Sequence, residues 1–123
     1  MKRYVLLLVV LLACQDNEPD SPEVISKDAQ QIGSTSVVME AEIKEIGPVR
    51  PVNFGFLWDS QPDLSIAVAK NRVLLGLASA PRTFSIKQDN LTPSTVYYYR
   101  GFAANESYSI IYYANVVSFT TLP

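Results

Sequence analysis

The chain has 123 residues, with ten Lys and Arg against twelve Asp and Glu, and no histidine. Its cations are scattered, which excludes nucleic acid as a partner, because phosphate binding needs clustered Lys and Arg. Without histidine the commonest general base and metal ligand are gone, and the single Cys14 leaves no disulfide to staple a fold.

Residues 1–13 read as a signal peptide. Lys2 and Arg3 precede an apolar run from Tyr4 to Leu12, then small Ala13 and Cys14. That is the order of an n-region, an h-region and a cleavage site. The run is shorter than the roughly 20 apolar residues that span a bilayer. Leu11-Leu12-Ala13-Cys14 resembles the lipobox of bacterial lipoproteins, in which the cysteine becomes the acylated first residue of the mature chain. The resemblance implies a covalent lipid (palmitate) on Cys14, a membrane partner reached through it, and placement in the bacterial cell envelope as an outer membrane lipoprotein. One acyl chain holds a protein only marginally, so multiple acylation is implied. Removal of Lys2 and Arg3 leaves eight cations against twelve acids, or about −4 on side chains.

Residues 14–23 form the lipidated cysteine and a tether. Gln15 to Glu23 is acidic, contains two prolines and has almost no apolar side chain, so it lacks the surface to fold. Acids just after the cysteine resemble the surface-export signal of Bacteroidota lipoproteins, which implies surface exposure.

From residue 24 to 123 the pattern is that of strands. Ser36 to Lys44 alternates, with Val37, Met39, Ala41 and Ile43 on one face and Glu40 and Glu42 on the other. Such alternation marks a strand with one face in water. Gly47-Pro48 and Pro51 read as a turn. Val52 to Trp58 puts Val52, Phe54, Phe56 and Trp58 on one face, and Asp59 to Asp63 ends it. Leu64–Leu77 reads as a short helix or a strand pair. Alternation of Leu64, Ile66 and Val68, then of Val73, Leu75 and Leu77, with a turn at Asn71, favours strands. Arg82–Lys87, Val96–Ala104 and Tyr112–Thr120 are further β-rich runs. Six or seven short strands in one domain predict an antiparallel β-sandwich, with an open barrel as the alternative.

Asn90 to Arg100 is the sharpest motif of the domain. Leu91, Pro93, Thr95 and Tyr97 resemble the tyrosine corner of fibronectin type III and related sandwiches, in which the tyrosine hydroxyl bonds to the upstream backbone. Gly55–Ser60, Leu91–Asn105 and Val117–Thr121 occur in that family's order. Together they resemble the fibronectin type III-like domains of Bacteroidota surface lipoproteins. The resemblance implies an all-β, immunoglobulin-like sandwich of about seven strands. Such domains often precede others, so the chain also reads as a remnant of a longer multidomain lipoprotein.

Function in such a fold lies on grafted surfaces. Alternation sends Tyr97, Tyr99, Gly101 and Ala103 inward, and Tyr98, Arg100 and Phe102 outward. The outward stripe is a candidate for stacking on sugar rings or a protein partner, or else cross-strand packing. Tyr108 and Ile110 make the loop 105–111 apolar for a tip, a second candidate. Glu40 and Glu42 lie on a solvated face, far from the facing pair that glycoside hydrolysis needs. The tripeptides at Asn90 and Asn105 match a glycosylation acceptor, which in a bacterial lipoprotein is coincidental. The reading is a non-enzymatic envelope module for protein or glycan, with no catalytic residue, no metal and no cofactor beyond the lipid. A purely structural spacer or subunit is the alternative.

Overall fold

A strand with apolar residues on alternate positions buries that face by laying it on another layer. The structure, a computed structural model, describes residues 20–123. The signal, Cys14 and most of the tether lie outside the described residues. Eight strands and no helix occur among those described: β1 (Glu23–Gln30), β2 (Val37–Glu45), β3 (Val52–Asp59), β4 (Asn71–Ala78), β5 (Arg82–Gln88), β6 (Val96–Ala104), β7 (Ile111–Tyr113) and β8 (Val117–Thr120). One sheet has the order β1-β2-β5; the other runs β4-β3-β6, with β7 and β8 both paired to the far side of β6. Every pairing is antiparallel. The chain is an all-β, two-sheet sandwich.

The inward faces meet as read from alternation. Val37, Met39, Ala41 and Ile43 of β2 face Val52, Phe54 and Phe56 of β3 and Tyr97 and Tyr99 of β6 in one buried cluster. Phe84 sits between two rings of β3, with centroids 4.8 Å from Phe54 and 5.1 Å from Phe56. The sheets come closest at Gly101, where an added Cβ would lie 2.8 Å from the Ala41 Cβ. Burial pushes the Tyr99 phenol up to about 12, and its hydroxyl donates to the Lys27 carbonyl.

One long edge of the sandwich is closed by side chains. β7 pairs with Phe102–Ala104 and β8 with Val96–Tyr99, so the ladder lapses at Gly101. A buried amide there must find another acceptor. The Gly101 N–H donates to Ser26 Oγ at 2.9 Å. Asn115, in the gap between β7 and β8, accepts from the Ser26 N–H at 2.8 Å and donates to the Ser26 carbonyl at 3.2 Å. Its amide imitates one rung of a ladder and ties the two sheets together.

Several expectations from alternation change. The run Tyr112–Thr120 is two strands, interrupted at Ala114–Val116; the gap is where Asn115 turns to Ser26. Leu64, Ile66 and Val68 are not a strand but part of a loop between β3 and β4. Its amides at Val68 and Ala69 donate to the Ser65 carbonyl at 3.1 and 2.9 Å, a single helical turn that propagates no further. Asn71 is not a turn residue but the first residue of β4, opposite Trp58. At the N-terminus β1 begins at Glu23, with Pro22 already buried, so ordered packing starts slightly ahead of Val24.

Candidate functional site

The segment before β6 brings its four motif residues together at one corner. Leu91 is buried and its amide donates to the Thr35 carbonyl at 3.0 Å. The Thr92 amide donates to Tyr97 Oη at 2.9 Å, and Thr95 Oγ1 donates to the Pro93 carbonyl at 2.9 Å. Thr121 then locks the chain end onto this turn: its hydroxyl donates to the Thr92 carbonyl at 2.6 Å and accepts from the Thr95 amide at 2.9 Å. Tyr97 stacks on Phe119 at 5.8 Å and meets Trp58 edge-on at 5.8 Å. The Tyr97, Thr95 and Thr121 hydroxyls all bond within the corner, so the corner is architecture.

The other face of the β3–β6 sheet is different. A wholly solvated face would carry polar side chains at alternate positions, yet here Leu57, Phe102 and Ala104 project outward. They are buried because the loop 60–70 lies over them. Leu64 fills the centre, and Ile66, Ala69, Tyr108 and Ile111 pack around it as a second hydrophobic cluster. The outward Tyr98–Arg100–Phe102 stripe is therefore corrected. Phe102 is fully buried and offers no ring to a ligand, because Leu64 occupies the space above it. Tyr98 and Arg100 are partly buried.

Polar bonds hold the loop at both ends and at its middle. Asp59, itself buried, accepts from the Ser60 amide at 2.6 Å and from the Lys70 amide at 3.2 Å. One carboxylate thus spans the neck of the loop. At the middle the Ile66 amide donates to Tyr113 Oη at 2.9 Å. Arg100 donates from Nε to the Ala114 carbonyl at 2.8 Å and from Nη1 to the Leu64 carbonyl at 3.3 Å. Its guanidinium lies 4.8 Å from the centre of the Tyr113 ring, within cation–π range. Burial lowers the Arg100 pKa, against the raising influence of Tyr113 and Asp63.

The hairpin between β6 and β7 is the second loop on this face. Asn105 organises it: its side-chain oxygen accepts from the Ile110 amide at 3.1 Å and its carbonyl from the Tyr108 amide at 3.0 Å. Asn53 of β3 donates to that same carbonyl at 3.2 Å. Tyr108 takes a positive φ of 60° and turns its ring onto the outer cluster, leaving Ile110 exposed. Of the two tip residues, Ile110 is free for a partner and Tyr108 is committed to packing. Val68 on the first loop is also exposed, as is much of Tyr113.

Glu40 and Glu42 stay on the solvated face of β2. Glu42 pairs with Lys27 at 3.4 Å and Glu40 accepts from Gln30 at 3.1 Å. Among the described residues no group of three acidic, thiol or imidazole side chains is placed to hold a metal ion. Asp59, Leu64 and Val68 are not among the candidate residues. Leu57 was the available signal: a large apolar side chain on the outward face of β3 requires a cover.

No family model and no curated protein matches the chain. Solved structures do resemble it. The sensor domain of the anti-sigma factor RsgI4 in Pseudobacteroides cellulosolvens aligns with a TM-score of 0.61 at 17% identity, covering 82% of this chain and 94% of that one. The fibronectin type III domain of human fibronectin type III domain containing protein 3 aligns with a TM-score of 0.51 at 17% identity, covering 88% and 90%. A fibronectin type III domain from the human KIAA0970 protein gives 0.52 at 15% identity, covering 80% and 72%. The fold is that of a fibronectin type III-like sandwich.

Proposed function

We propose that this fibronectin type III-like sandwich is a non-catalytic recognition module of the bacterial cell envelope, held at the outer membrane through lipid on Cys14. It takes its protein or glycan partner on the loops over the β3–β6 sheet. The observation that carries the reading is the state of those loops. Asp59, Arg100, Tyr113 and Asn105 bind them down, yet Val68 and Ile110 remain 57% and 51% exposed on them. Loops held in one conformation lose little entropy on binding, and exposed apolar groups on a rigid scaffold are what a partner buries. The structural likeness to a domain described as a sensor in an anti-sigma factor is compatible with such a role. The anchor rests on the order of residues from Lys2 to Cys14.

Two experiments test the two halves. The full chain is probed on an array of envelope glycans and against solubilised envelope proteins, beside a Val68→Ser, Ile110→Ser variant. A partner retained by the chain and weakened about tenfold or more in the variant, or about 1.4 kcal/mol, supports the surface. A partner bound equally by both refutes it. Cys14→Ala is expected to abolish palmitate labelling and membrane fractionation; retention of both would refute the anchor.

A further inference from the structure

Four strand edges bound the two sheets, and three are defended against pairing. β1 carries Glu23, Lys27 and Asp28 and is tied by Asn115; β5 carries Arg82 and Lys87; β7 and β8 are short and broken apart. Charges, bulges and short strands are how proteins prevent edge-to-edge association. β4 is eight residues long with one charge, Arg72, in Asn-Arg-Val-Leu-Leu-Gly-Leu-Ala. It pairs with β3 alone, so its other side presents unpaired backbone amides and carbonyls. Leu74 and Leu77 on it are 61% and 56% exposed.

We propose that β4 is the interface for a second copy of this chain, paired antiparallel with its own mate about a two-fold axis between Leu75 and Gly76. A bulge makes the strand self-complementary. Phe54 pairs with Gly76 and Gly55 with Leu74, so Leu75 is the extra residue, and it packs on the core. The extra residue shifts the alternation. Leu74 and Leu77, three apart, therefore both point to the outer side of the sheet, opposite Gly55 and Asn53. The two-fold sets Leu74 of each copy against Leu77 of the other, two apolar cross-strand pairs. On the inner side it sets Val73 against Ala78, and at the ends it sets Arg72 against Ser79, so the like charges do not meet. A register one residue away would oppose inward Val73 to outward Leu77 and break the match along the strand.

Gly76 lies next to the axis with a φ of +145° and nothing within 4 Å of where a Cβ would stand, leaving the two bulges room to face each other. An isologous contact of this kind closes at two copies. A single strand edge is smaller than the roughly 800 Å² per partner of a standard interface, so the dimer exchanges with monomer as concentration changes. This inference stands independently of the loop surface proposed above.

The register is tested by cysteine pairing in the full chain. One tagged copy carries Leu74→Cys and a differently tagged copy carries Leu77→Cys; they are co-expressed and the membranes oxidised. Opposed residues of an antiparallel pair lie about 5 Å apart at Cα, within disulfide reach. The expected result is a linked species of both tags at the mass of two chains, with no link in either variant alone or in the unsubstituted chain. Linking in one variant alone, no linking in the mixture, or a ladder above two copies would overturn the proposal. As a second measurement, the unsubstituted chain in detergent shifts toward dimer with concentration on sedimentation. Leu74→Lys with Leu77→Lys stays monomeric with an unchanged circular dichroism spectrum. A monomer at every concentration for the unsubstituted chain overturns the proposal equally.

Discussion

The β3–β6 sheet buries apolar side chains on both of its faces, and the two faces are held by different means. On the inner face Phe56, Tyr99 and Phe54 lie against Phe84 and the residues of β2, and regular strand pairing positions all of them. On the outer face Leu57 and Phe102 lie under a loop without regular structure. That loop is positioned by Asp59, Tyr113 and Arg100, which are bonded to its backbone amides and carbonyls. The inner face is thus stable because the sheets are stable. The outer face adds a cover whose place depends on those few side-chain bonds.

Substitutions on the two faces should separate them. Phe56→Ala empties the inner core and is expected to lower global stability by about 3–5 kcal/mol, read as a fall in the denaturant midpoint. Phe102→Ala is expected to lose less, about 3 kcal/mol, the low end of the range for such a truncation, because Leu64 and the loop can settle into part of the space. Equal losses would mean that the two clusters unfold as one and would break the comparison. Asp59→Ala strands the amides of Ser60 and Lys70 and is expected to cost about 1–2 kcal/mol. The loss should appear first as protease cleavage between residues 60 and 70. Cleavage unchanged from the parent chain would show that the carboxylate does not hold the neck.

The smallest expected effect is on the inner face and depends on pH. The folded-state pKa of Tyr99 is raised from 10.0 to about 12, chiefly by burial. A raised pKa means the folded state keeps a proton that the unfolded state releases, so this contribution is whole below about pH 10 and is lost as pH rises toward 12. Tyr99→Phe removes the hydrogen bond to Lys27 and is expected to cost about 1 kcal/mol at neutral pH, and to flatten the alkaline decline. A decline of the same slope in both proteins would assign the alkaline transition to other groups.

The inner face was largely legible in the chain. Val37 to Ile43 and Val52 to Trp58 place apolar residues at every second position, and Leu91 to Tyr97 carry a spacing that sets the corner, so β2, β3, β5 and β6 follow from local pattern. The outer face was not, for a physical reason. Arg100 meets Leu64 across 36 residues and Tyr113 meets Ile66 across 47, and no periodicity reports such bonds. Alternation correctly sent Phe102 outward but cannot tell solvent from a covering loop. The same rule made a strand of Leu64 to Val68, where apolar residues at alternate positions serve a turn with one buried knob, Leu64. In β4 the extra Leu75 altered the alternation that Val73, Leu75 and Leu77 had suggested, putting Leu77 on the opposite side from the other two.

The claim that the outer loops are held in place, ready for a partner, is tested most directly by amide hydrogen exchange. The account predicts that the Ile66, Ser60 and Lys70 amides are protected, and that Tyr113→Phe, which removes the acceptor of the Ile66 amide, releases Ile66 while the β2 and β6 amides keep their rates. Exchange of Ile66, Ser60 and Lys70 at unfolded-chain rates in the unsubstituted protein would contradict it.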